Sequence, residues 1–241
     1  MVVPKMPSGA LEKRELETHP LDMGTAVGPQ LYRILRRRII RNDLVPGVRM
    51  SESEIAGNYG VSRQPVREAF IKLSEEGLLE IRPQRGTFVR RIVISEVTGA
   101  RFVREAIEAD VIKLLASETV LGLVEELRAQ LRRQMSVAER KEPYSRFVEL
   151  DDTFHRTLAT AARQNYAWEI VENVKAQMDR VRHLSALRFP MEKLISQHEA
   201  IVDAIEAQDV RAAEAAIRGH LREILNDLPV VAQSRPEFFG E

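Results

Sequence analysis

The chain contains no cysteine in its 241 residues, which excludes disulfide bridges and any metal site built on thiolates. It has no apolar run approaching the roughly 18 residues that a membrane-spanning helix needs. Its opening stretch, MVVPKMPSGALEKRELETHP, holds no apolar core followed by a small-residue cleavage site. These absences lead to the expectation of a cytoplasmic protein with no membrane partner. Internal repeats and low-complexity tracts are also lacking, which removes repeat architectures. Net charge is zero, but only as an average. Pro29–Arg91 carries thirteen Lys or Arg against seven Asp or Glu, and Ile92 onward carries twenty against twenty-five. A basic module joined to an acidic one points to a polyanion partner for the first alone.

Hydrophobic patterning divides the chain at about the same place. Residues 1–28 mix Pro, Gly and charge without a sustained period and read as a flexible arm. A helix is expected through LYRILRRRIIRND, with Leu31, Ile34, Leu35 and Ile39 on one face and Pro46-Gly47 ending the segment. Helix, turn and helix follow between Ser51 and Gly77. Leu78–Ile81 and Thr87–Arg91 read as two short strands around Pro83-Gln84-Arg85-Gly86. The basic module is therefore placed at 29–92, with a brief linker around Arg91–Ser95. Beyond it, strand signals almost vanish. Amphipathic helices are expected near 95–118, 121–140, 143–162, 166–187, 190–207 and 209–227, within a domain of 95–228 followed by a tail of 229–241.

The basic module has the chemistry of a DNA reader. Ser51-Glu52-Ser53-Glu54 is a capping box, and Gly60 can adopt the left-handed conformation that a tight turn requires. Ser62 then caps a second helix in which Val66, Ala69, Phe70 and Leu73 face inward. Arg63, Gln64 and Arg67 face outward. In a helix-turn-helix the start of the second helix enters the major groove, where Arg forks suit guanine and Gln suits adenine. Ser62 and the helix N-terminus favour a phosphate. Arg85 and Gly86, at the tip of the wing, reach toward the backbone or minor groove.

The acidic module places four polar residues where apolar ones belong. Asp151 and His155 are four apart on a stripe of Phe147, Leu150, Phe154 and Leu158. His198 falls between Leu194 and Ile201, and His220 between Ile217 and Ile224. All four side chains should point between helices. A buried carboxylate costs several kcal/mol unless compensated, and no Lys or Arg lies on those stripes beside the four. One Asp and three His from three helices suit a divalent cation; Zn²⁺, Ni²⁺ and Mn²⁺ all fit this donor set. His183 and His19 lie off these stripes, Asp152 is expected to face solvent, and Trp168 to serve packing.

Two sets of motifs carry a family resemblance. Leu44-Val-Pro-Gly-Val-Arg-Met-Ser-Glu-Ser-Glu-Ile-Ala, Tyr59-Gly-Val-Ser-Arg-Gln-Pro-Val-Arg-Glu-Ala-Phe, Leu73-Ser-Glu-Glu-Gly-Leu-Leu and Arg85-Gly-Thr-Phe-Val resemble the winged helix-turn-helix of GntR-family transcription regulators. Gln64 stands where Thr is more usual. Arg104-Glu-Ala-Ile-Glu, Asp151-x-x-Phe-His, His198-Glu-Ala-Ile-Val-Asp-Ala-Ile and Ala216-x-x-x-His-Leu resemble the FCD ligand-binding domain of the FadR subfamily, in its six-helix, VanR-like branch. The resemblance implies a mainly α protein, a winged helix-turn-helix joined to an antiparallel six-helix bundle that encloses a divalent metal. Arg63 and Arg67 are by this likeness the base readers, supported by Ser62, Gln64, Arg85 and Gly86. Asp151, His155, His198 and His220 match the metal positions.

The function so implied is a DNA-binding transcription regulator, a repressor, that binds a double-stranded pseudo-palindromic operator as a homodimer and responds to a small organic acid at the metal. Arg104, in register with Ile107, Val111 and Leu114, either pairs with the effector carboxylate or forms a surface ion pair with Glu108. Two other readings stay open at this point. One is a metal-dependent hydrolase or isomerase, although the stripes offer no free Glu or His near the ligands as a general base. The other is a regulator in which the metal is purely structural.

Overall fold

The structure, a computed structural model, describes residues 20–184 and 190–240. Most of the expected arm, with His19, lies outside the described residues. Helix α1 (Val27–Ile40) buries Leu31, Leu35, Ile39 and Ile40, so the stripe expected from the spacing forms, with Ile34 only half-buried at its margin. Strand β1 (Arg49–Met50) leads into α2 (Glu52–Tyr59) and α3 (Arg63–Glu75). The Ser51 hydroxyl accepts the Glu54 N–H at 3.3 Å, and Gly60 takes φ +64° at the turn. Ser62 occupies the cap position of α3 but makes no side-chain capping bond, unlike the expectation.

Strands β2 (Leu79–Arg82) and β3 (Gly86–Val89) form the wing hairpin, with Ile81 opposite Thr87 and Arg82 opposite Gly86. β1 adds to β3 on its other side, giving a three-stranded antiparallel sheet in the order β1-β3-β2. That third strand has two residues, too few to show a period in sequence. Gln84 (φ +60°) and Gly86 (φ +109°) turn the hairpin.

Strand β4 (Ile92–Val93) runs directly into α4 (Ile94–Ser117), so the segment expected as a linker is ordered and Ile92 is fully buried. There follow α5 (Leu123–Glu139), α6 (Tyr144–Ala161), α7 (Asn165–Val174), α8 (Ala176–Leu184), α9 (Met191–Glu206), α10 (Val210–Arg222) and α11 (Ile224–Ser234). Two of the six expected helices are thus interrupted. The 166–187 segment is interrupted by a one-residue turn at Lys175, and its last residues lie outside the described ones. The 209–227 segment breaks at Glu223, where the N–H bonds His220 O in a tighter turn.

The segment set apart as a tail is not separate. α11 passes through Pro229 to Ser234, a 3₁₀ turn (Pro236–Phe238) follows, and β5 (Phe239–Gly240) pairs in parallel with β4. The reason is apolar burial. Phe238 and Phe239 complete a core shared with Ile92, Val97, Phe147 and Val181. A second bundle core, around Leu127, Phe154, Leu158, Ile201 and Ile217, lies at the other end of the helices. The four polar residues sit at the level between them.

Candidate metal centre and nucleic-acid interface

Helix α3 presents Ser62, Arg63, Gln64 and Arg67 to solvent while Val66, Ala69, Phe70 and Leu73 are buried, as the periodicity requires. The Arg63 guanidinium is already engaged: its Nη2 lies 2.8 Å from Glu52 Oε2 on α2. Gln64 Nε2 donates to Glu68 Oε1 at 3.0 Å, one turn along the same helix. Arg85 is exposed at the wing tip. Gly86 sits under the Arg49 side chain, so closely that a Cβ there would come within 2.9 Å of Arg49 Nε. Arg49, from β1, is thus part of the wing's basic surface, and sequence reading passed over it because the strand that places it was not legible.

In the bundle, α6 supplies Asp151 and His155, α9 supplies His198, and α10 supplies His220. Their donor atoms all lie within 4.8 Å of one another, and all four residues are buried. The His155 and His220 Nε2 atoms are 3.2 Å apart, and His198 and His220 Nε2 are 3.3 Å apart. The Nδ1 atoms point outward. His155 Nδ1 is 2.6 Å from Glu108 Oε2, His198 Nδ1 is 2.9 Å from Gln134 Oε1, and His220 Nδ1 is 3.0 Å from Gln197 Oε1.

Each outer partner is an acceptor, and the two amides are oriented by their own second bonds. Gln134 Nε2 donates to Leu150 O and Gln197 Nε2 to Glu223 Oε2. The Nδ1 bonds place the protons of His198 and His220 on that nitrogen and turn their Nε2 lone pairs toward a common point, and the Glu108 carboxylate beside His155 Nδ1 favours the same tautomer there. Asp151 Oδ1 faces His198 Nε2 at 3.4 Å and has no hydrogen-bond donor. Lone pairs and a carboxylate converging in a buried cluster repel one another, and a divalent cation would relieve that repulsion. The residues fit such an ion.

Residues 28–89 match the family described as bacterial regulatory proteins, gntR family, and residues 101–223 match the FCD domain. An Escherichia coli protein, the HTH-type transcriptional repressor RspR, is 42% identical over 216 residues, 89% of this chain and 94% of that protein. The chain belongs to the GntR family. A probable D-xylose utilization operon transcriptional repressor of Paenarthrobacter nicotinovorans is 30% identical, over 87% of this chain and 91% of its own length. The crystal structure of a GntR regulator from Rhodococcus sp. RHA1 aligns with a TM-score of 0.67 at 26% identity, covering 84% of this chain and 99% of that one. E. coli McbR/YncC aligns at 0.72 with 16% identity, over 87% and 99%, and so speaks to the fold alone. The family and these relatives are regulators of transcription rather than enzymes, and the GntR-family chain is a DNA-binding regulator. Among the described residues, no helix is long and apolar enough to cross a membrane.

Several expectations about this GntR-family protein need correction. Asp151 does have a basic partner: Arg182 Nη1, from α8, lies 2.8 Å from its Oδ2. Burial alone would raise the Asp151 carboxyl, but Arg182 and the imidazoles outweigh it and hold it well below its usual range. Burial pushes His198 below its ordinary value and His220 well below, so both stay neutral as a ligand must be. The Arg104–Glu108 pair forms at 2.6 Å but is buried rather than on the surface. The inward face of α4 carries Arg104, Glu108, Val111 and Leu115, whereas Leu114 is 51% exposed.

Glu108 is an acidic group beside the ligands after all, although it contacts the outer nitrogen of His155. Asp152 is not turned to solvent; it takes Lys175 Nζ at 2.9 Å. His183 stacks edge-on against Tyr144, 6.5 Å between ring centres, and Trp168 packs with Ala159 and Val171. Of the missed residues, Gln134 carried a signal. It stands on the stripe of Leu123, Leu127 and Leu131, where a polar side chain needs a buried partner.

Proposed function

We propose that this chain is a transcription repressor that binds a pseudo-palindromic operator as a homodimer, and that a small organic acid bound beside a divalent metal (Zn²⁺, Ni²⁺ or Mn²⁺) controls that binding. The relatives named as repressors support the first part. Arg63 and Arg67 would read base edges with Gln64 in support, Ser62 would meet a phosphate, and Arg85 and Gly86 would approach the backbone or minor groove. Asp151, His155, His198 and His220 would hold the ion, whose contribution is open coordination positions for a carboxylate.

The second part rests on one observation above the rest. Arg104 is buried, its Nε is taken by Glu108, and its Nη2 has no hydrogen-bond partner. Arg104 lines a cleft together with Arg182, His220, Leu221 and Met178. A buried guanidinium nitrogen left unpaired at a cleft beside three imidazoles is suited to an entering carboxylate. Elemental analysis of the purified protein tests this reading. About one equivalent of a divalent metal is expected in the wild type and none in Asp151→Ala/His198→Ala, as for a four-ligand site. A wild type that holds no metal even after reconstitution removes the effector model and leaves the DNA-binding assignment in place.

A further inference from the structure

Helix α8 turns two different faces to two different partners. Gln177 and Arg180 are three residues apart and share one side; Asp179 and Arg182, also three apart, share the opposite side. The first side holds the DNA-binding domain. Gln177 Nε2 donates to Gly77 O at 2.9 Å, just past the end of α3, and Arg180 Nη1 donates to Arg90 O at 2.8 Å, just past the wing. Asn42 Nδ2, after α1, returns a bond to Arg180 O at 3.0 Å. Ala176, at the start of α8, is buried in the core that otherwise belongs to the winged helix-turn-helix.

The second side holds the candidate centre. Arg182 bonds Asp151, and Asp179 pairs with Lys175, which in turn bonds Asp152 on α6. A single nine-residue helix therefore touches a candidate metal ligand on one side and the carbonyls flanking recognition helix and wing on the other.

Two features suit α8 to move as a unit. A one-residue turn at Lys175 sets it off from α7. Its hold on the DNA-binding domain is also incompletely satisfied: Arg180 is 0% exposed, yet its Nε and Nη2 have no hydrogen-bond partner. Its nearest polar groups are the Gln177 amide and the Arg90 backbone rather than a carboxylate. Burial and the Arg90 guanidinium push its pKa down to about 10. A buried cation with only neutral partners is costly, so a displacement that improves its pairing meets little opposition.

We propose that α8 passes the state of the candidate centre to the DNA-binding domain. Arg182 acts as the positioning residue on one side, and Gln177 and Arg180 carry the displacement on the other. This inference rests on the reading of the centre given above. With a cation held by Asp151, that carboxylate would attract Arg182 less, and a carboxylate entering the cleft would compete for the same guanidinium. Either event shifts Arg182, and the rigid helix transfers that shift to Gly77 and Arg90.

The test uses the full-length protein, zinc chloride as the only probe, and a DNA duplex selected from a randomised pool by the metal-free protein. In the wild type, zinc should change DNA affinity by about five-fold or more, the lower end of ordinary coupling between sites. Gln177→Ala/Arg180→Gln touches no residue of the centre, so it should keep one equivalent of zinc, while the zinc effect on DNA affinity falls below about two-fold. Gln177→Ala alone removes one neutral hydrogen bond and serves should the double variant not fold, with a reduced zinc effect expected. A variant that binds zinc and keeps the full wild-type zinc effect overturns the role of α8. So does a wild type that binds zinc without any change in DNA affinity. A wild type that takes up no zinc instead overturns the reading of the centre, and the coupling with it.

Discussion

Glu108 is shared between two partners: one carboxylate oxygen takes Arg104 Nε at 2.6 Å, and the other lies 2.6 Å from His155 Nδ1. Burial favours the protonated acid, but Arg104 and His155 outweigh it and hold the Glu108 carboxyl at about 2. Glu108 therefore does two things at once. It favours the His155 tautomer that aims Nε2 at the centre, through charge beside Nδ1, and it orients the guanidinium proposed to meet the effector. Outer partners of this kind are worth about 10- to 100-fold in metal affinity. Glu108→Ala should lose zinc affinity by that order in a chelator competition. His198 and His220, whose partners are Gln134 and Gln197, should stay in place in its structure.

Arg67 is exposed on α3 with no ion pair among the described residues, whereas Arg63 is tied to Glu52. Arg67→Ala should weaken specific DNA binding by about 1–3 kcal/mol while reducing nonspecific binding much less. Glu52→Gln releases Arg63 and should raise nonspecific affinity with a steeper salt dependence. Titrations of one selected duplex and one unrelated duplex, each at several salt concentrations, measure both. A cognate affinity unchanged in Arg67→Ala would remove α3 from the major groove.

Glu105 fastens α4 to α10. Hydrogen bonding from Arg222 leads the effects on it, burial opposes, and Arg218 and Arg101 add to Arg222, so its carboxyl is held down at about 2 from an ordinary 4.5. Because the folded-state value is depressed, the stabilisation is present above about pH 4.5 and is lost as pH falls from there toward 2. Glu105→Gln should therefore be less stable than wild type near pH 6, by on the order of 1–2 kcal/mol after solvent screening of the exposed Arg222 end. The gap should close as the solution is acidified. Urea denaturation at several pH values reads it directly, and a gap independent of pH would contradict the charge assignment.

The C-terminal strand closes the core over the junction between the two domains. Phe239 pairs in register with Ile92, and Phe238 is 4% exposed. Removing a buried Phe side chain costs about 3–5 kcal/mol, so Phe238→Ala should lower stability by that order and loosen the β4–β5 pair. Amide exchange at Ile92 and Val93 should rise in that variant and stay unchanged in Phe102→Ala, whose ring is 66% exposed.

Much of this could be read from the amino acids alone, and the reason is periodicity. A helix repeats every 3.6 residues whatever surrounds it, so Asp151, His155, His198 and His220 could be placed on inward faces without knowing what lay opposite. Local turn chemistry behaved the same way, as Gly60 and the Pro83–Gly86 turn show. Residues that act across elements were not legible. Arg182 reaches Asp151 from a helix 31 residues away, Glu108 meets His155 from α4, and β5 returns to β4 from the end of the chain. Each of those contacts depends on where packing sets one helix against another, which no stripe records. The four candidate ligands and the two-module plan came from local pattern. Tertiary structure alone decided which charges surround those four residues, and which helix lies between them and the DNA-binding domain.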